Sequence, residues 1–275
     1  MGSQYFLPED TERILLRQEQ ACRNLGLMLD KYVPQRVILE SKNKADWFRR
    51  LNPNQHVDLR LAKAAYDRWA QITKAAGAIH MQATTDWRMV VGLGGESVLE
   101  TDITLHHIYG FPFIPGSALK GLVRMYAALE DKNMYLDKGQ GEKAPSKEID
   151  TDPKDILRIF GSQEKAGSVV FFDAMPLDGR ATLALDIMNP HYPDYYSDTS
   201  NRKLPTNDQN PNPVTFLAVE KTTFVFALAP RRPGNSEDMK DVQQVQQWLK
   251  DAIQRYGVGA KTNAGYGYFT NAKTL

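Results

Sequence analysis

The sequence has almost no cysteine: Cys22 stands alone among 275 residues. One thiol makes no internal disulfide framework, and it cannot build a Cys-rich zinc site. The chain also lacks an excess of either charge. Lys and Arg number 34 against 33 Asp and Glu, a net charge of +1. The field of the whole molecule therefore does not mark a nucleic-acid binder, and a polyanion site would have to come from local clustering. No apolar run is long enough to span a bilayer. The start, Met1-Gly2-Ser3-Gln4-Tyr5, carries neither a basic n-region nor an apolar h-region. Cytoplasmic residence with no membrane partner is the expectation. With 42% hydrophobic and 24% charged residues, the chain can bury a substantial core in one large domain or two small ones.

The first third patterns as amphipathic helix. Ile14, Leu15, Leu25 and Leu29 space an apolar stripe over 9–31, and Leu59, Leu61, Ala65, Tyr66, Trp69 and Ile72 space another over 54–76. Residues 1–84 are expected to form an N-terminal helical extension. The style then changes. Residues 87–92 read as a strand ending in a glycine turn, and 101–109 as a weaker strand. Phe111-Pro112-Phe113-Ile114-Pro115-Gly116-Ser117 is a stiff entry into a helix that Ser117 would cap. Leu119, Leu122, Val123, Tyr126 and Ala127 give that helix one apolar face.

Further on, 167–175, 181–188, 214–219 and 222–229 read as strands. Residues 236–256 form the cleanest helix, with Ser236 as its cap. Val242, Val245, Leu249, Ala252, Ile253 and Tyr256 are its buried stripe, and Gly257 its terminating glycine. A last strand covers 266–270. Two polar tracts, 131–155 and 189–213, the second with five prolines, read as long insertions. The order from Trp87 is strand, helix, strands, helix, strand. That outlines a ferredoxin-like α+β unit over 85–275, an antiparallel sheet with two helices.

Two segments suggest chemistry. The first is Gly257-Val258-Gly259-Ala260-Lys261-Thr262-Asn263-Ala264-Gly265-Tyr266-Gly267. Glycines allow positive φ and close backbone approach, so successive N–H groups can converge on an anion. Lys261 adds a charge, and Thr262 and Asn263 add short polar donors. Phosphate suits such a loop. A nucleotide P-loop does not: Ala260 precedes Lys261, and the order is helix, loop, strand. A plain helix C-cap with a tight turn is the competing reading. The second segment is Pro115-Gly116-Ser117-Ala118-Leu119-Lys120-Gly121-Leu122-Val123-Arg124. Lys120 and Arg124 share one side of the helix, off its apolar face. A glycine between them suggests that something approaches closely. The segment is either a phosphate site at the helix start or a solvated basic face.

These two segments, with Phe172-Asp173-Ala174 between them, resemble the RAMP superfamily of CRISPR-associated proteins. The tract Asn189-Pro190-His191-Tyr192 to Tyr195-Tyr196, then Asn212-Pro213-Val214-Thr215-Phe216-Leu217-Ala218-Val219, narrows the resemblance to the sixth-subunit family of type III-B (Cmr) effector complexes. The match covers roughly 85–275 and leaves the N-terminal helices unassigned. The resemblance implies a ferredoxin-like, RRM-related fold. It also implies a non-catalytic subunit that holds guide CRISPR RNA near its 3′ end and caps the backbone filament. Guide RNA, target RNA and other Cmr/RAMP subunits would be its partners, with no cofactor. Ser117, Lys120, Arg124, Gly257, Gly259, Lys261, Thr262, Asn263, Gly265 and Gly267 would contact RNA.

Other readings stand beside it. Some RAMP relatives are metal-independent endoribonucleases, which would make His106 or His107 a general base; adjacent on a strand, the two point to opposite faces. Glu96, Glu100 and Asp102 are a loose acidic group, either a metal site or solvated charges. Gly265-Tyr266-Gly267-Tyr268-Phe269 partly matches the RRM aromatic signature. There Tyr266 and Tyr268 would share a strand face, to stack bases or to pack a helix.

Overall fold

The computed structural model describes residues 4–18, 22–136, 154–189, 200, 204 and 213–275. His191, Tyr195, Tyr196 and most of the two expected insertions lie outside these residues.

The N-terminal region is helical: α1 Glu9–Gln18, α2 Leu25–Asp30, α3 Gln35–Leu39, α4 Lys44–Leu51 and α5 Leu59–Ala75. The apolar stripe over 9–31 is divided between α1 and α2, and Asn24 caps the second by accepting from Leu27 N–H. The helix read over 54–76 begins only at Leu59, where the Asp58 carboxylate accepts from the N–H groups of Arg60 and Leu61. Its buried stripe is Ala62, Ala65, Trp69 and Thr73. Leu59, Leu61 and Ile72, expected to be inward, are exposed.

Five strands form the main sheet: β1 Ile79–Thr85, β3 Val169–Phe171, β4 Met175–Pro176, β7 Thr223–Pro230 and β8 Phe269–Thr274. Their order is β3-β7-β1-β8, with β4 also pairing β7, and every pairing is antiparallel. Helix α6, Gly116–Leu136, lies between β1 and β3 in sequence, and helix α8, Ser236–Arg255, between β7 and β8. This is the βαββαβ strand order of a ferredoxin-like unit. A short helix, α7 Lys154–Phe160, follows α6. A second sheet of β2 Arg88–Met89, β6 Val214–Glu220 and β5 Thr182–Met188 has the order β2-β6-β5. The turn between β6 and β7 joins the sheets. There Thr85 N–H donates to the Thr222 carbonyl at 2.9 Å, and Thr222 N–H donates to Thr85 Oγ1 at 3.0 Å.

Several sequence expectations shift. β1 falls in the segment expected to be helical. Its string, Ile-His-Met-Gln-Ala-Thr-Thr, has few large apolar residues, yet it is a central strand. The strand expected over 101–109 is an irregular tether. Thr104 N–H donates back to Val91 O, and Leu105 makes one isolated bridge to Pro112; proline denies that ladder a donor. The strand expected over 167–175 breaks into β3 and β4, and the last strand begins at Phe269 instead of Tyr266. Helix α6 runs to Leu136, and α7 starts at Lys154, so both flanks of the 131–155 tract are helical. Asn235, one residue before Ser236, caps α8 by accepting from Glu237 and Asp238 N–H.

Both faces of the main sheet are covered. Phe224, Phe226 and Leu228 of β7 enter the large core shared with Val123 of α6 and Val245 and Leu249 of α8. On the other face, Val225 and Ala227 pack with Ala62, Ala65 and Trp69 of α5. An RRM keeps that second face open for bases; here α5 occupies it.

Lys44 ties the helical region to the loop ahead of the tether. It is 3% exposed. Its Nζ donates to the Leu99 carbonyl and to Thr101 Oγ1 at 3.3 Å, and lies 3.7 Å from the Glu100 carboxylate. Burial pushes its pKa below the ordinary lysine value, against the pull of Glu100. The unfolded chain therefore keeps this proton to higher pH than the folded one. Stability rises as pH climbs through the folded pKa toward the ordinary value of 10.5. Urea unfolding of the wild type and of Lys44→Met, at about pH 7.5 and about pH 10, should show the wild type gaining on the variant at the higher pH. A constant difference would mean that Lys44 is not depressed.

Candidate nucleic-acid interface

The two glycine-bearing segments meet at one end of the main sheet. Both β1 and β3 run antiparallel to β7, so they are parallel to each other, and α6 crosses back between them from the C-terminal end of β1. β8 begins at Phe269, which pairs with Thr85, the last residue of β1. The loop 257–267 therefore lies at that same end. The ring of Tyr126 meets Tyr256 edge-on at 6.0 Å, which sets the end of α8 against α6. Lys120 and Arg124 precede Tyr126, with Lys120 about 9 Å along the helix axis from it. They stand on the side where the loop begins.

The fold itself uses most of the loop's glycines and N–H groups. Gly257 N–H donates to Ala252 O, ending α8 as expected of its glycine. Val258 N–H donates to Gly267 O, Gly267 N–H to Arg88 O at 2.7 Å, and Ala260 N–H to Val90 O at 2.8 Å. A Cβ on Gly267 would stand 2.1 Å from Val258 O, and one on Gly259 would stand 2.3 Å from Val90 O. Gly267 lets the two ends of the loop close on each other, and Gly259 lets the loop lie on the residues after β2. At the tip, Ala264 and Tyr266 N–H groups donate to Lys261 O, and Gly265 N–H to Thr262 O. Among the described residues, the N–H groups of Gly259, Lys261, Thr262 and Asn263 have no acceptor. Free backbone donors are thus fewer than the glycine count suggests. Three consecutive ones lie at the tip, where Lys261 takes φ +60 and starts a short 3-10 turn.

The helix entry is also built tightly. Ile114 and Ala174 exchange backbone hydrogen bonds at 3.0 and 2.8 Å. The Asp173 carboxylate accepts from Gly116 N–H at 2.7 Å, so a distant aspartate caps α6. Ser117, expected as the cap, lies inside the first turn and is exposed. Segments 111–117 and 172–174, read separately in the sequence, are one unit. Arg124 is exposed and Lys120 half-buried. A Cβ on Gly121 would meet nothing within 4 Å, so none of the described residues explains that glycine.

Tyr266 is not available for stacking. It is buried against Phe216, with ring centroids 6.0 Å apart, and its hydroxyl donates to Asp186. Burial and then that hydrogen bond push its phenol up to about 12. Asp186 also takes Arg88 at 2.6 Å, and Arg88 lies 3.5 Å from Glu220. Burial works against the Asp186 carboxylate, but the hydrogen bonds from Tyr266 and Arg88 outweigh it and hold its pKa below the usual value. Tyr268 lies ahead of β8, so the two tyrosines do not share a strand face.

The catalytic candidates do not converge. His106 packs among Tyr109, Phe111 and Phe113, at 4.6 to 6.1 Å between centroids. Burial pushes its pKa down, more than nearby Asp173 raises it. His107 is exposed. No described histidine shares a hydrogen bond with a carboxylate. Glu100 turns to Lys44, while Asp102 lies beside Gly95. Among the described residues, no three His, Cys, Asp or Glu side chains group as a metal site.

Sequence reasoning passed over Trp87 and Lys221, which flank this end of the sheet. Both are exposed. Their signal was positional: Trp87 interrupts a strand pattern at a corner, and Lys221 sits in a turn between two apolar strands.

A family model described as the RAMP superfamily matches residues 80–270. A Cmr6 subunit of the Cmr CRISPR system from Pyrococcus furiosus is 34% identical, aligned over 75% of this chain and 72% of its own. The chain belongs to the RAMP superfamily. A second relative, the Cmr6 subunit of Saccharolobus solfataricus, is 27% identical over 86% of this chain and 78% of its own. The fold is similar to that of a chain in the cryo-EM structure of the type III-B Cmr-beta assembly bound to cognate target RNA. There the TM-score is 0.55 at 21% identity, covering 86% of this chain and 75% of that one. Among the described residues, no helix is long and apolar enough to cross a membrane.

The glycines of this RAMP chain should separate by substitution. Gly121→Ala should stabilise the protein by roughly 1 kcal/mol, since it improves helix propensity at an open site. Gly267→Ala should destabilise it by at least about 2 kcal/mol, because the added Cβ meets a carbonyl at a left-handed φ. Urea unfolding of both variants checks this. Equal effects would refute the division into an open glycine and a packed one.

Proposed function

We propose that this chain is a non-catalytic guide-RNA-binding and assembly subunit of a type III-B (Cmr) RNA-guided effector, working in the cytoplasm. In this reading it caps the backbone filament near the 3′ end of the CRISPR RNA, beside other Cmr/RAMP subunits and the target RNA. The similarity to Cmr6 subunits supports the assembly. The observation that carries RNA binding is the loop tip, where consecutive N–H groups of Lys261, Thr262 and Asn263 lack acceptors beside one lysine ammonium. Ser117, Lys120 and Arg124 extend the surface along α6. Gly257, Gly259, Gly265 and Gly267 act by holding the loop's shape.

The loop tip follows the C-terminal end of α8, whose free carbonyls carry partial negative charge. A phosphate there needs both the N–H groups and a cation, and Lys261 is the loop's cation. Its φ of +60 strains alanine as much as lysine, so Lys261→Ala should leave stability nearly unchanged. It should weaken single-stranded RNA binding by roughly 1–2 kcal/mol, the range for a charge-assisted hydrogen bond. The slope of log affinity against log salt should become shallower by about 0.7. Filter binding over a salt series, with a melting curve for each protein, measures all three. Unchanged RNA binding with a lower melting temperature would make Lys261 a structural cap and sink the phosphate reading.

A further inference from the structure

We infer that Trp87 is a stacking platform for one nucleobase, set beside the phosphate-holding loop. The inference rests on the proposed RNA binding and adds to it a contact with a base.

Trp87 stands between Thr85, the last residue of β1, and Arg88, the first of β2. It is 49% exposed. Tryptophan is seldom left half in water on a corner with no apolar neighbour chain to cover it. The indole is also not loose. Its centroid lies 4.9 Å from the ring of Tyr266, and the Arg88 guanidinium carbon lies 5.4 Å from it. Tyr266 and Arg88 both bind the Asp186 carboxylate, so the two groups that touch the indole are themselves anchored. A half-exposed aromatic surface, braced by an anchored tyrosine and a paired arginine, is what a base stacks on without regard to its identity.

The surroundings fit a nucleic-acid strand. The residue after Trp87 supplies the carbonyl that Gly267 N–H binds at 2.7 Å, so the platform is one peptide away from the glycine loop. Arg88 pairs with Glu220 in the β2–β6 ladder. One step further, the antiparallel register sets Lys221 opposite Trp87. Lys221 is exposed, takes φ +46 at the turn, and has no ion pair among the described residues. Lys221 thus lies across the turn from Trp87, and Lys261 belongs to the loop whose Tyr266 packs on the indole. The adjacent exposed Asp86 opposes phosphate on its own side, which directs the backbone past the lysines. Both faces of the main sheet are filled, so a base near this loop finds its exposed aromatic surface at the corner.

The test uses the full-length chain and single-stranded RNA, together with the same RNA carrying one abasic residue at successive positions. Wild type should lose affinity at one abasic position and show tryptophan quenching on binding. Trp87→Ala should bind intact RNA about ten-fold more weakly, with an unchanged salt slope, and should no longer sense the abasic position. Trp87→Phe should keep most of the affinity but lose the quenching. Abasic scanning of the wild type decides the matter even if Trp87→Ala fails to fold. Uniform affinity along the abasic series would overturn the stacking role, as would wild-type affinity and quenching in Trp87→Ala. If Trp87→Ala binds RNA normally but no longer associates with other subunits of the effector, the corner is a protein contact and the inference is wrong. If Lys261→Ala weakens binding while Trp87→Ala does not, only the stacking role falls; if neither does, the RNA reading of this end falls as a whole.

Discussion

The structure of this end of the molecule depends on a backbone contact that no side chain could survive. The loop 257–267 lies on β2 and its continuation through Gly267 N–H to Arg88 O and Ala260 N–H to Val90 O. Val90 O stands 2.3 Å from the missing Cβ position of Gly259, and Val258 O, in the loop itself, stands 2.1 Å from that of Gly267, so neither position has room for a side chain. That contact fixes the loop tip relative to the sheet, so Lys261, Thr262 and Asn263 project from a rigid base. It also fixes the 86–88 corner, because Arg88 contributes both the accepting carbonyl and a side chain locked to Asp186 and Glu220. The loop resembles a flexible glycine linker in composition and behaves as a clasp in structure.

The near-zero net charge conceals how the cations are used. Arg88 is held by Asp186 and Glu220, Arg158 by Asp155 and Asp241, and Arg232 by Asp238. Such arginines are neutralised locally and add little outward field. Lys120, Lys221 and Lys261 have no ion pair among the described residues. A whole-chain sum mixes both kinds, and for that reason it carried no information about a phosphate site.

Legibility in the sequence followed the size of the side chains. Helix α8 and strands β5, β6 and β7 were readable because Val, Leu, Ile and Phe recur at their proper period. The central strand β1 was not, since Ile79 and Met81 are its only large apolar residues and Gln82 and Thr84 carry no pattern of their own. In α5 the exposed leucines misled: close packing selected Ala62 and Ala65, whose small size allows the approach. At the candidate site, the sequence located both glycine segments but could not separate glycines that serve the fold from one that faces open space. A neighbouring carbonyl and a left-handed φ distinguish Gly267 from Gly121. The capping of α6 by Asp173 was illegible for a similar reason: its partner lies 57 positions away.

The covering of the main sheet decides what kind of recognition remains possible. In an RRM the exposed sheet face presents aromatics to bases. Here α5 fills that face with Ala62, Ala65 and Trp69, and the aromatic signature near β8 is spent on Tyr266, which is anchored to Asp186. What stays exposed is the end of the sheet, with main-chain donors and lysines. Main-chain N–H groups bind phosphate oxygens that are identical at every nucleotide. An aromatic face accepts any base. A surface built from these parts can hold a strand in place without selecting its sequence. The guide-holding role proposed for this chain would require that property, and α5 supplies its condition by filling the sheet face that an RRM leaves to bases.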